Sequence, residues 1–126
     1  MATINVTFPG GKRVDAQCGG FTCKTDQPPE AGGEGSAPPP FDLFLASIAT
    51  CAGIYVKGYC DARSIATDGL GLAMHIEREP GKARVARLVL EITLPPGKRT
   101  VIIAIALLWP FRGRVLVWHF PLPRMS

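Results

Sequence analysis

The chain has 126 residues, the length of one domain, and 47% of them are hydrophobic. Fourteen lysines and arginines against ten acidic residues give a net charge of +4, but the basic excess is spread among bulky apolar residues, so we expect no nucleic-acid binding. Neither an export signal nor an uninterrupted apolar run of the roughly 20 residues that span a membrane is present, which predicts a soluble, cytoplasmic protein without membrane partners.

Three short strands are predicted at the start of the chain. Residues 3–8 alternate apolar and polar side chains, as on a half-buried strand, and a Pro-Gly-Gly turn follows. A returning strand is expected over residues 12–17, and a third over residues 21–25 after a Gly-Gly break. The pattern predicts a β-meander.

A long loop and a long helix come next. Residues 26–40 are rich in proline, glycine, alanine and glutamate without any period, which is typical of a lid or a site wall. The helix is predicted from Pro40 to about Ala62, because proline suits the first turn and Asp42 complements the positive end of the helix dipole. Its apolar residues surround the axis, so burial on nearly every side is expected.

The second half of the chain predicts a hairpin. Residues 70–77 and 87–94 alternate apolar and polar side chains and are joined by a Pro-Gly turn. One sheet covers only one side of an apolar helix, so the pattern predicts an obligate homodimer that buries the other side. The apolar residues 101–109 predict a short helix or strand that ends at Pro110.

The four cysteines are Cys18, Cys23, Cys51 and Cys60. None is spaced as in a zinc motif and the two histidines are isolated, so no metal site is expected. Cys18 and Cys23 flank a turn and are interpreted as ordinary hairpin residues. Cys51 and Cys60 lie nine positions apart on the helix, on opposite sides and about 13 Å apart, beyond the reach of a disulfide. Cys60, in the polar end of the helix, is interpreted as a surface residue.

Cys51 has two interpretations. Its neighbours along the helix are small residues, Ala46, Ser47, Ala49, Thr50, Ala52 and Gly53. They leave space beside the sulfur for a ligand, as a reactive thiol requires. Free cysteine is also among the most buried residue types, and on the residues alone a packing role is favoured.

The segment GGEGSAPPPFDLFLASIATCAGIYVKGY, set between a β-meander and a hairpin, resembles the signature of the OsmC/Ohr family. These are the osmotically induced and organic hydroperoxide resistance proteins of bacteria. The resemblance runs over residues 4–96 and implies an OsmC-like domain at residues 1–99. It implies an α+β fold, with curved antiparallel sheets wrapped on a long buried central helix in an intertwined homodimer.

The resemblance also implies a cysteine peroxidase of the oxidative stress response that needs no cofactor or metal. In active members a thiolate attacks an organic hydroperoxide, a second cysteine captures the sulfenic acid, and a dithiol such as a lipoylated protein reduces the disulfide. Cys51 matches the attacking cysteine, and Arg13 is the best match to the activating arginine. Clear peroxidases have a glutamate at the position of Phe41; here Asp42, one place along, corresponds to the carboxylate of an OsmC-like branch.

The last part of the chain departs from the family. Residues 100–126 do not resemble the family's ending, and no cysteine follows Cys60 to act as resolving thiol. Our hypothesis is that this segment is a replaced C-terminus. We therefore expect an external thiol or dithiol to resolve an oxidised Cys51. The alternatives are a non-catalytic OsmC-fold module for redox sensing or binding, and a scaffold in which Cys51 only packs.

Overall fold

The structure, a computed structural model, describes residues 2–94 and the backbone of residues 101–106. The chain divides into two units, Met1–Ile48 and Ala49–Ser126. The elements are β1 Asn5–Gly10, β2 Arg13–Cys18, β3 Phe21–Thr25, a 3-10 helix Pro29–Ala31, α1 Pro40–Ala62, β4 Gly71–Arg78, β5 Val85–Thr93 and β6 Val101–Ala106. One long helix with antiparallel strands confirms the predicted α+β class.

The first unit contains the predicted β-meander, with the antiparallel strand order β1-β2-β3. The two residues that join β2 to β3 are Gly19, with φ 53°, and Gly20, with φ 83°. Both lie in the left-handed region, as a two-residue hairpin turn of type I′ requires, and glycine adopts that region without steric cost.

The loop after β3 is folded back on itself. The backbone N–H of Asp26 donates to the Pro38 carbonyl at 3.3 Å, and that of Gly35 donates to the Gln27 carbonyl at 3.0 Å. At Gly33 an added Cβ would collide with the Gln27 backbone carbonyl. The Pro/Gly-rich composition therefore encodes a defined loop with close backbone packing.

Helix α1 has the bounds that the sequence predicts. Pro40 occupies the first helical position, and the Leu43 N–H donates to the Pro39 carbonyl at 3.3 Å. At the other end the Ile65 N–H donates to the Cys60 carbonyl at 2.9 Å, and Ser64 adopts φ 52°. This is the left-handed C-terminal motif in which the chain turns back along the last turn.

The interpretation of Cys60 as a surface residue was wrong. Its exposed fraction is 0%. The polar neighbours Lys57 and Asp61 form an exposed ion pair with each other, while the chain beyond Ala62 turns back at Ser64 and bonds to the Cys60 carbonyl. Cys60 thus packs as a small apolar residue at the end of the helix.

Within the single chain the helix is not buried on every side. The large apolar side chains of α1 that stay exposed are Phe41, Phe44, Ile54, Tyr55 and Tyr59. That a second subunit covers these side chains remains a prediction. By length and composition α1 is also apolar enough to cross a membrane, which is a test that core helices of soluble proteins pass as well.

The second unit contains an antiparallel sheet with the order β4-β5-β6. Leu88, Leu90 and Ile92 alternate along β5 and are buried. The other side of the sheet is polar: Arg87 donates to Glu77 at 2.8 Å across the two strands. The predicted hairpin is confirmed, residues 101–106 form a strand, and the prediction for residues 107–126 lies outside the described residues.

Replacing Leu88 with alanine is expected to lower the free energy of unfolding by about 3 kcal/mol. The side chain is 1% exposed, so its loss leaves a cavity. Urea denaturation followed by circular dichroism measures the change. The control is Thr93→Ala, at the exposed end of the same strand, with an expected change within roughly 0.5 kcal/mol. Equal effects of the two substitutions would contradict the placement of Leu88 in the core.

Candidate active site

Cys51 lies near the middle of α1 and its side chain is exposed in the single chain. Ile54 and Tyr55, three and four positions further on, lie on the same side of the helix and are 74% and 77% exposed. A Cβ added at Gly53 would meet nothing within 4 Å. The thiol is therefore accessible and has apolar neighbours on an open helix surface.

Arg13 is the first residue of β2, and its side chain is part of an ion pair. Its Nη2 lies 3.8 Å from Oδ2 of Asp15, whose side chain is only 10% exposed. Among the described residues, Asp15 Oδ1 has no hydrogen-bond partner. The contact is long and the Arg13 side chain is 39% exposed, so Asp15 holds the guanidinium loosely and leaves it available to another anion. Sequence reasoning missed Asp15; its signal was a lone acidic residue inside a strand.

A shallow depression of about 370 Å³ lies beside Arg13 in the first unit. Its lining residues are Gly10, Gly11, Lys12, Arg13, Asp26, Gly32, Gly33 and Glu34. The carboxylate of Asp26 is bonded within its own loop, so Lys12, Arg13 and Glu34 are the charged residues of the lining that remain for a ligand.

Asp26 anchors the loop that forms one wall of this depression. The side chain is 1% exposed, and its Oδ2 accepts hydrogen bonds from Ser36 Oγ at 2.7 Å and Ser36 N at 3.0 Å. Gln27 N donates to Oδ1 at 2.8 Å. These bonds, above all those from Ser36, lower the pKa of Asp26 from 3.8 to about 2. Sequence reasoning missed this residue; the signal was an aspartate between a strand and a Gly/Pro/Ser-rich loop.

Asp42 lies in the first turn of α1, where its carboxylate complements the helix dipole. Arg13 and Asp42 belong to the first unit and Cys51 to the second, so the predicted grouping of these three residues stays a prediction. Within the part of the chain that the structure describes, no three His, Cys, Asp or Glu side chains form a metal-binding group. His75 lies instead 3.0 Å from Glu91, across β4 and β5.

A family model described as OsmC-like protein matches residues 33–106, more than half of the chain. The matched part contains all of α1, with Asp42 and Cys51, and strands β4 to β6; Arg13 lies before it. No curated protein and no solved structure matches the chain.

Proposed function

Because the chain belongs to the OsmC-like protein family, we propose that it reduces organic hydroperoxides with Cys51 as the attacking thiol. Family membership indicates a peroxide-related redox function. It also indicates a soluble protein, in which α1 is a core helix rather than a membrane span, and we place it in the cytoplasm. The observation that supports Cys51 is the exposure of its side chain in the single chain, on the helix inside the family match.

The proposed reaction begins with the Cys51 thiolate. The sulfur attacks the hydroperoxide, the O–O bond breaks, and the alkoxide leaves and takes a proton, so the products are a sulfenic acid and an alcohol. An external thiol then forms a disulfide with Cys51 and releases water. A second thiol of the same reductant breaks this disulfide and restores the Cys51 thiol. An external dithiol completes the cycle without a resolving cysteine beyond Cys60.

A cation near the sulfur raises the thiolate fraction, and we propose Arg13 for this role. Arg13→Gln is expected to lower the second-order rate constant with cumene hydroperoxide about 10- to 100-fold near pH 7. The deficit should shrink in alkaline solution, where the thiol ionises unaided. Stopped-flow measurements across this pH range provide the readout.

The control for Arg13 is Lys12→Gln, which removes the neighbouring cation of the same depression. Its rate is expected to stay within about twofold of the wild-type rate, since a solvated lysine is screened from the thiol. A pH-independent deficit in Arg13→Gln, or an equal deficit in Lys12→Gln, would argue against thiol activation by Arg13.

We further propose that a second copy of the chain packs on the exposed apolar residues of α1, and that peroxide reaches Cys51 beside this contact. Large apolar side chains as exposed as Ile54 and Tyr55, next to each other on one helix, are typical of an interface rather than of a monomer surface. Sedimentation equilibrium of the purified protein tests this: a mass of 13.5 kDa at all concentrations would exclude the homodimer.

Thiol counting tests the proposed function. The reduced protein is mixed with one equivalent of cumene hydroperoxide, the remaining thiols are alkylated, and the chain is digested with trypsin. Cys51 and Cys60 fall in separate peptides, residues 25–57 and 58–63. Rapid loss of the free thiol from the peptide of residues 25–57, together with continuous peroxide consumption when excess dihydrolipoate is added, supports a peroxidase.

The other outcomes distinguish the alternatives. Oxidation of Cys51 without sustained consumption supports a redox-sensing module, which the absence of a cysteine after Cys60 favours. If Cys51 is not oxidised, the remaining alternative is a scaffold in which Cys51 only packs.

A further inference from the structure

Two cysteines outside the family match lie on one face of the β2–β3 hairpin. Cys18 ends β2 opposite Phe21, and Cys23 in β3 lies opposite Ala16. Residues two apart along a strand point to the same side of a sheet, so Cys18 and Cys23 are diagonal neighbours. The residues between them in register, Gln17 and Thr22, point to the opposite side.

The two thiols interact, and their surroundings differ. A hydrogen bond with the Cys23 thiol, followed by burial, raises the pKa of Cys18. Cys18 is half-buried, whereas Cys23 is exposed. The outer sulfur thus meets dissolved oxidants, while the inner sulfur stays protonated beside it at neutral pH.

We propose that Cys18 and Cys23 form a reversible dithiol–disulfide pair that organic hydroperoxides oxidise independently of Cys51. The Cys23 sulfur attacks the hydroperoxide, the O–O bond breaks, and the products are an alcohol and a sulfenic acid on Cys23. The Cys18 sulfur then displaces the hydroxyl group, which leaves as water with the Cys18 proton. In total, two thiols and one hydroperoxide yield one disulfide, one alcohol and one water.

Closing the disulfide requires a small movement of the hairpin. Cα atoms of diagonal neighbours lie about 7–8 Å apart in a regular sheet, whereas a disulfide holds them within about 4.4–6.8 Å. Cys18 directly precedes the turn formed by Gly19 and Gly20, the residues with the widest backbone freedom. The turn absorbs the change in strand separation, so oxidation alters the end of the hairpin and leaves the β1–β2 pairing in place.

The chain itself offers a direct assay. Trypsin cleaves after Arg13 and Lys24 and releases residues 14–24, a peptide that holds both Cys18 and Cys23 and no other cysteine. The full-length Cys51→Ser variant is treated with cumene hydroperoxide, alkylated and digested. The expected product is this peptide without alkylation and lighter by two hydrogen atoms, and dithiothreitol should restore both thiols.

A matched control exchanges two neighbouring residues of β3. The double variant Thr22→Cys, Cys23→Thr retains the composition and mass of the peptide but moves the thiol to the other face of the hairpin. We expect the internal disulfide of this variant to form at least roughly tenfold more slowly than the Cys18–Cys23 disulfide, because the two sulfurs lie on opposite faces of the hairpin. Circular dichroism checks that the variant folds.

Several results would overturn the proposal. They are an equal rate in the exchanged variant, oxidation of Cys23 to sulfinic acid in place of the disulfide, and a disulfide that joins two chains. All three results are measured in proteins that also carry Cys51→Ser, the exchanged variant included. They are therefore independent of whether Cys51 reduces peroxides. Should the exchanged variant not fold, the Cys51→Ser protein still decides, since free thiols at both Cys18 and Cys23 after peroxide treatment would also overturn the proposal.

Discussion

Replacing Cys51 with serine is expected to lower the rate constant for cumene hydroperoxide reduction by a factor of roughly 10³ or more. A serine hydroxyl is not ionised at neutral pH and is a poor nucleophile toward an O–O bond, whereas a thiolate attacks it readily. Cys51 is exposed in the single chain, so the substitution should leave the fold of that chain intact. Peroxide consumption under excess dithiothreitol measures the rate.

The matched control for Cys51 is Cys60→Ser on the same helix. Cys60 is fully buried, so its thiol does not meet peroxide, and the rate should stay within about twofold of the wild-type rate. If both variants lost activity equally, the helix rather than the Cys51 thiol would be responsible. If Cys51→Ser retained the wild-type rate, Cys51 would not be the attacking residue.

Replacing Asp26 with alanine is expected to lower the midpoint temperature of unfolding by about 10 °C. The carboxylate accepts hydrogen bonds from the N–H groups of three residues of its own loop, and the substitution removes these part-buried bonds together. Asp26→Asn should have a smaller effect, because the amide group keeps one of the two side-chain oxygens that accept these hydrogen bonds. The control is Glu30→Ala at an exposed position of the same loop, with a shift below about 2 °C.

The stabilisation by Asp26 depends on pH in a known direction. Its pKa in the folded protein, about 2, lies below the ordinary 3.8, so its contribution is complete above pH 3.8 and is lost as the pH falls toward 2. Wild-type protein should therefore lose stability across this interval, and Asp26→Ala should lack that part of the loss. Parallel acid dependence in wild type and variant would contradict the anchoring role.

The elements of this fold were predictable because their signals are local. Alternation of apolar and polar residues located β3 and β4, and Pro40 with Asp42 located the start of α1. The helix ended at Ala62 as predicted, close to its last apolar residues. Where a pattern was ambiguous, as in residues 101–106, pairing with β5 decided in favour of a strand.

Features that depend on contacts between distant residues were not predictable from those signals. The polar sequence around Cys60 indicated exposure, but the chain after Ser64 turns back and the thiol is buried. The pairing of Arg13 with Asp15 depends on how deeply β2 is buried, which alternation alone does not give. The sequence identified Cys51 as the residue to test, whereas its grouping with Arg13 and Asp42 depends on the arrangement of the two units.

The anchored loop also decides where the chain tolerates interruption. Residues 26–38 resemble a flexible linker in composition, yet an affinity tag placed there would separate Asp26 from Ser36 and disrupt their bonds. The turn at Gly81 is the better insertion point: open space surrounds it, and the bond from the Glu79 N–H to the Arg84 carbonyl closes the hairpin beneath it. A fluorescent label or fusion partner inserted at that turn leaves the β4–β5 pairing undisturbed.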